Sequence, residues 1–280
     1  PTGFSPGFAG TLSTADGHTV FAKAVSPVPN PHTPSLHRRE AKIVTRLPAH
    51  TPVPRLLWTY DEGEQGWIVL VFEYVHGRHP LEPWRPDELN RVLEGLAALS
   101  TVLTPSPLGP DLVGTASEVV AKNVRGWTWL RDSRPPNLDG WSARHLDRLV
   151  ALEEEAARAV AGTALLHMDI RADNLLLASD RVWFVDWPHA TIGAGWFDLV
   201  GFAPSVTMQG GPPPEALVEQ YPGCQGADPE DITAAIAAIA GYFTHRSLQP
   251  PPPGLPTVRE FQAAQGKVAR QWLSERLNWT

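Results

Sequence analysis

Residues 165–176 read LLHMDIRADNLL, and within them Asp169 follows His167 by two positions and precedes Asn174 by five, giving H-x-D-x-x-x-x-N. Phosphoryl transfer asks for such a set. A carboxylate orients an attacking hydroxyl and accepts its proton, while an amide oxygen a short loop away holds Mg²⁺. Magnesium takes hard oxygen donors, keeps several waters and needs only one or two protein ligands besides phosphate. A second ligand is expected at the end of a nearby strand. Arg181–Val185 (RVWFV) reads as a short apolar strand, and Asp186 ends it. The same stretch also suits a polar turn between buried segments, so the decision lies in the rest of the chain. His167 reads as a packing residue rather than a second base, and Asp173 as a plain loop residue. Arg171 can approach a transferred phosphate or remain a solvated cation.

Lys23 is one of four lysines and falls in the middle of the apolar run TVFAKAV. An ammonium there must snorkel, face solvent or find a buried anion. On the next helix Leu36, Glu40, Ile43, Val44 and Leu47 share one face by i, i+3, i+4 spacing, which puts the Glu40 carboxylate on the apolar side. Each supplies the other's missing partner, and a strand lysine paired with a helix glutamate is how kinases position nucleotide phosphates. Two unrelated snorkelling side chains are the alternative. Upstream, TGFSPGFAGTL carries Gly3, Ser5, Gly7 and Gly10, whose backbone amides could approach phosphate oxygens. The full G-x-G-x-x-G spacing is missing.

The elements that must hold these residues fall into two parts. Thr19–Val25, Pro54–Tyr60 and Trp67–Tyr74 read as strands, with one helix from Thr33–Pro34 to Pro48 between the first two. After HGRHP (76–80) the chain turns helical. Pro86–Leu103 places Leu89, Val92, Leu93, Leu96, Leu99 and Leu103 on one face, and Ser142–Val160, Asp228–Thr244 and Val258–Leu277 follow. Two domains are expected, 1–76 strand-rich and 77–280 mainly helical. The proline tracts GGPPP and QPPPPGLP, bracketed by helices, read as stiff loops rather than polyproline ligands.

Composition excludes several classes. The 280 residues carry a net charge of −7, balanced in 1–76 at six acidic and six basic side chains, so the excess lies in 77–280. No basic patch supports a nucleic-acid partner, and no apolar run is long enough to span a membrane. A single cysteine, Cys224, precludes an internal disulfide and fits a reducing cytoplasm; in PGCQG it reads as incidental.

With these residues in order, the chain resembles the aminoglycoside phosphotransferase family of the protein-kinase-like superfamily. HMDIRADNLLL is similar to its catalytic loop, and FVDWPHATIGAGWFDLV to the segment that follows, where protein kinases instead carry Asp-Phe-Gly and Ala-Pro-Glu. The resemblance implies an α+β, bilobal protein-kinase-like fold with a small β-rich N-lobe and a larger helical C-lobe. It implies Asp169 as catalytic base beside Arg171, Asn174 and Asp186 as Mg²⁺ ligands, and ATP or GTP as donor. Ser5, Gly7, Lys23 and Glu40 would serve the nucleotide, and backbone groups of Glu73 and Val75 in the hinge (72–77) its base. Asp198 would brace the catalytic loop. Met168 stands where the family usually has Gly, Arg171 where His or Lys is frequent, and the first strand reads as short or absent. The expected acceptor is a small-molecule hydroxyl, on an aminoglycoside or similar cationic antibiotic, with Trp187, Trp196 or Trp272 as candidate contacts. A metabolic kinase of the choline, homoserine or sugar type and a non-catalytic nucleotide-binding module are the alternatives.

Overall fold

A computed structural model describes residues 7–28, 30–64 and 66–280. The N-terminal part is a four-stranded antiparallel sheet. Strands β1 (Phe8–Ser13) and β2 (Thr19–Val25) form a hairpin, helix α1 (Thr33–Val44) follows, and β3 (Leu56–Asp61) and β4 (Ile68–Glu73) complete the order β1-β2-β4-β3. Strand β2 buries Val20 and Ala22 on one face and Val25 on the other, the face that also carries Lys23, and its pairing with β4 sets Lys23 opposite Leu70. Val25, Ile68, Leu70 and Phe72 make a small core under this sheet. Half of the glycine segment is therefore strand, since Gly10 lies within β1 and pairs with Ala22. Gly7 is required by close approach: a Cβ there would meet Val25 Cγ1 at 2.5 Å and the Ala24 carbonyl oxygen at 2.7 Å. Gly3 and Ser5 lie outside the described residues.

Helix α1 starts at Thr33 with Pro34 in its first turn, where the missing proline N–H costs nothing. It stops at Val44, short of Pro48, and the Thr45 hydroxyl donates to the Ala41 carbonyl (2.8 Å). Ile43 on its inner face belongs to the core of the C-terminal part, so α1 packs across the two.

The chain leaves the sheet after Glu73. Strand β5 (Gly77–Arg78) already pairs with a later strand. Five helices follow: α2 (Pro86–Val102), α3 (Pro110–Val113), α4 (Ala116–Asn123), α5 (Gly126–Ser133) and α6 (Gly140–Ala159). Leu89, Val92, Leu93, Leu96 and Leu99 of α2 are buried as a stripe. Two small sheets then frame the polar loops, β5-β7-β8 and β6-β9, from β6 (Ala164–Leu166), β7 (Leu175–Ala178), β8 (Val182–Phe184) and β9 (Thr191–Gly193). The chain closes with α7 (Phe197–Met208), α8 (Pro214–Gln220), α9 (Pro229–Ser247) and α10 (Val258–Leu277).

The proline tracts lie in the loops before α8 and between α9 and α10. Cys224 is buried, and its thiol is pushed up to about 12 by burial. Trp187, Trp196 and Trp272 are also buried, which removes them as candidate acceptor contacts. Among the described residues no helix is long and apolar enough to cross a membrane.

Candidate active site

Helix α1 and the loop after β8 converge on Lys23 of β2. Its ammonium donates to both Glu40 carboxylate oxygens (2.8 and 3.0 Å) and to Asp186 Oδ1 (3.0 Å). Glu40 is 2 % exposed on the inner face of α1, where an unpaired carboxylate would be costly. Burial alone favours loss of the Lys23 proton, but the two carboxylates outweigh it and hold the group well above the usual lysine range. Burial likewise works against the Asp186 anion, yet the Lys23 charge and hydrogen bond bring that carboxyl down to about 2. Asp186 therefore stays ionised, with a third of its side chain exposed.

The loop between β6 and β7 presents the second group. Leu165, Leu166, Leu175 and Leu177 are buried on either side and anchor it. Asp198, at the start of α7, accepts the backbone N–H groups of both His167 and Met168 (2.8 Å each) and so clamps the loop from below. Met168 sits at φ +67°, in the left-handed region that favours glycine. Its N–H bond to Asp198 and the packing of its side chain against the core hold it there. Asp186 shares this unusual geometry at φ +69°.

His167 is fully buried against Trp187, with ring centroids 4.6 Å apart. The Asp169 N–H donates to its Nδ1 (3.2 Å), so the ring proton resides on Nε2, which donates to the Val185 carbonyl (3.0 Å). Burial pushes its pKa below the ordinary histidine value. His167 is thus a neutral spacer that ties the Asp169 backbone to the strand leading to Asp186.

The Asn174 amide nitrogen donates to the Asp169 carbonyl (2.8 Å) and to its Oδ2 (3.1 Å). This fixes the Asp169 carboxylate and points the amide oxygen of Asn174 away from it. Arg171 holds Asp173 by two parallel hydrogen bonds (3.0 and 2.8 Å), stands 3.4 Å from Asp169 Oδ1, and lies 5.7 Å from the Phe261 ring in the first turns of α10. It is not a solvated cation. Asp173, which reads as a plain loop residue in the sequence, is its bidentate partner.

At the junction of the two parts, the Glu73 N–H donates to the Arg55 carbonyl and its carboxylate takes the Arg55 side chain and N–H, all at 2.9 Å. The Val75 carbonyl accepts from the Gly77 N–H (2.9 Å). Gly7, in the segment leading into β1, lies close against Val25 and the Ala24 carbonyl of β2. Among the described residues no three His, Cys, Asp or Glu side chains gather as a metal cluster.

A small antiparallel sheet carrying Lys23, a helical C-lobe, and a clamped loop that joins Asp169 to Asn174 beside Asp186 define a kinase-like phosphotransferase acting on an alcohol group. The chain belongs to the phosphotransferase enzyme family APH, whose sequence profile matches residues 12–234. In fold it is similar to a thermostable mutant of aminoglycoside phosphotransferase APH(4)-Ia in ternary complex with AMP-PNP and hygromycin B, at 13 % identity, 96 % of this chain, 93 % of that chain and a TM-score of 0.61. It is also similar to a choline/ethanolamine kinase family protein from Mesorhizobium loti, at 17 % identity, 98 % and 89 % coverage and a TM-score of 0.57. Amicoumacin kinase hAmiN, in complex with AMP-PNP, Ca²⁺ and Ami, matches at 12 % identity, 95 % and 84 % coverage and 0.59. No curated protein matches the chain.

Proposed function

We propose that this chain is a magnesium-dependent small-molecule kinase that moves the γ-phosphate of ATP, or of GTP, to a hydroxyl of an aminoglycoside or similar cationic antibiotic. The observation that carries the kinase chemistry is the bridging of Glu40 and Asp186 by Lys23 next to the Asp169–Asn174 pair. Residues 1–76 would hold the nucleotide, with Lys23 on its phosphates, Glu40 orienting Lys23, and Glu73 and Val75 offering backbone groups to the base. Residues 77–280 would hold the acceptor. Asp169 orients the acceptor hydroxyl and takes its proton as the oxygen attacks phosphorus, and Arg171 offsets charge on the transferred group. The residues fit Mg²⁺: an ionised Asp186 and an Asn174 whose amide nitrogen is already engaged offer two hard oxygens, the number this ion takes beside phosphate and water. When bound, the ion supplies charge neutralisation at the phosphates. The antibiotic class of acceptor is supported by relatives in complex with hygromycin B and with Ami.

A second reading, a metabolic kinase of the homoserine type, has its own observation. Arg246 stacks 5.4 Å from the Tyr242 ring and lines a pocket of about 620 Å³ with Trp129, Asp132, Ser133, His245 and Gln249. Arg259 interacts with Arg246 electrostatically and shares the first turns of α10 with Phe261, the residue that meets Arg171. Among the described residues neither arginine has a carboxylate within ion-pair distance. Such a pair suits an acceptor bearing a carboxylate better than a polycation.

A coupled nucleotide-turnover screen separates the readings. ATP and GTP are offered with aminoglycosides, other cationic antibiotics and hydroxylated metabolites, with and without carboxylates. Turnover with a cationic antibiotic, and protection of a sensitive bacterium on expression, supports the first. Turnover confined to a carboxylated metabolite supports the second. Nucleotide binding without turnover across the panel marks a non-catalytic module.

A further inference from the structure

Arg39 lies next to Glu40 on α1 but points the other way in the chemistry. One nitrogen of its guanidinium, Nη2, donates to the carbonyls of Val113 (2.8 Å) and Ala190 (2.9 Å). Among the described residues it has no carboxylate within ion-pair distance. A partly buried arginine that spends its donors on two main-chain carbonyls is acting as a fork of N–H groups, not as half of an ion pair.

The two carbonyls are specific places. Val113 ends α3, where Gly114 turns the chain at φ +70° and accepts the Ile192 N–H (3.1 Å). Ala190 closes the short turn after Asp186, with its own N–H donating to the Trp187 carbonyl (3.3 Å). Both carbonyls lie in the C-lobe, whereas Arg39 rides on the helix between strands of the N-terminal sheet. The contacts form a closed circuit: Asp186 to Lys23, Lys23 to Glu40, one peptide to Arg39, Arg39 to Ala190, and the turn back to Asp186.

We infer that Arg39 is a positioning residue, one that fixes α1 on the Asp186 turn so that Glu40, Lys23 and Asp186 are held in a single register for the nucleotide phosphates. The inference rests on the kinase reading above. A helix can rotate about its axis or slide along the core while Ile43 stays buried; the Arg39 fork removes that freedom, because its two acceptors belong to different segments of the C-lobe. The effect passes through Glu40, so Arg39 itself need touch no nucleotide.

The test is a double-mutant cycle on Mg·AMP-PNP affinity, read by calorimetry with Arg39→Met, Glu40→Gln and both together. Arg39→Met weakens Mg·AMP-PNP about 10-fold, the scale of losing one or two hydrogen bonds, and the double variant is no weaker than Glu40→Gln alone. Adenosine, which lacks phosphates, binds wild type and Arg39→Met alike. Arg39→Lys, which keeps donors at that position, restores most of the loss. Additive effects of the two substitutions, or unchanged Mg·AMP-PNP affinity in Arg39→Met, overturn the inference. If Arg39→Met does not fold, the cycle is run with Arg39→Gln under the same criterion of non-additivity. Wild type that binds no Mg·AMP-PNP refutes the kinase reading instead, so the two failures are distinct.

Discussion

Lys23 Nζ and Asp186 Oδ1 stand 3.0 Å apart although 163 positions separate them in the chain. The contact joins the N-terminal sheet to the loop after β8 and makes one ammonium serve two carboxylates. Charge balance at this point is therefore collective: Glu40 and Asp186 both depend on Lys23, and neither is isolated from a change in the other.

Lys23→Met strands Glu40, at 2 % exposure, without its counter-charge. A loss of about 3 kcal/mol is expected, the cost of breaking a buried pair from one side. Glu40→Gln is milder, because Lys23 keeps Asp186. The double variant Lys23→Met/Glu40→Gln is more stable than Lys23→Met alone. Urea unfolding of the three variants checks this order, and nucleotide affinity falls in all of them.

The left-handed backbone at Met168 sets a ranking of substitutions. Val is worse than Met by about 1–2 kcal/mol, since a β-branched side chain is least tolerated at φ > 0, while Gly stays within about 1 kcal/mol of Met. Thermal or urea unfolding gives the order directly. At the partner position, Asp198→Ala leaves two loop N–H groups without an acceptor and costs about 3 kcal/mol, with turnover falling in parallel.

Asp173→Ala frees Arg171 from its bidentate partner. Turnover is expected to fall about 10-fold, with KM for the nucleotide unchanged, because an arginine left to sample many positions offsets charge on the transferred group less well. Stability shifts by less than about 1 kcal/mol, as for other partly exposed ion pairs. Steady-state kinetics beside an unfolding curve separates the two effects.

Acid sensitivity follows from two groups with opposite chemistry and the same sign. Asp186 is held at about 2, so its contribution is whole above the ordinary Asp value of about 4 and is lost as pH falls through 4 toward 2. His167 is buried and neutral with a lowered pKa, so below about 6.5 the unfolded chain takes a proton that the folded ring refuses. Stability therefore declines with acid in two steps. Asp186→Asn flattens the lower step in a pH series of unfolding free energies and leaves the upper one.

Much of this was legible in the residues. Lys23 in an apolar strand and Glu40 on an apolar helix face are each anomalous alone, and the physical cost of leaving either unpaired marks them as partners. The stripe on α2 was as readable. Other features gave no periodic signal. Strand β1 hid in a glycine-rich segment, and α7 is apolar all round, with nine of its twelve residues buried, so no face marks it as a helix. Helix α4 carries a local sign in its sequence, the capping box of Thr115 and Glu118. Asp173 and Arg39 could not be found by spacing, because the first is defined by the fork of Arg171 and the second by carbonyls 74 and 151 positions away. The tryptophans misled for a similar reason, since composition does not tell a core ring from a binding ring.

The most direct measurement is phosphoryl transfer from γ-labelled ATP with Mg²⁺ to the acceptor panel, by wild type and by Asp169→Ala. Labelled product from a hydroxyl acceptor, with turnover cut by about 10²–10⁴ in the variant and nucleotide affinity nearly intact, is the expected result. Equal rates in the two proteins, or loss of nucleotide binding with an unchanged residual rate, would contradict Asp169 as the base and with it the assignment of the site.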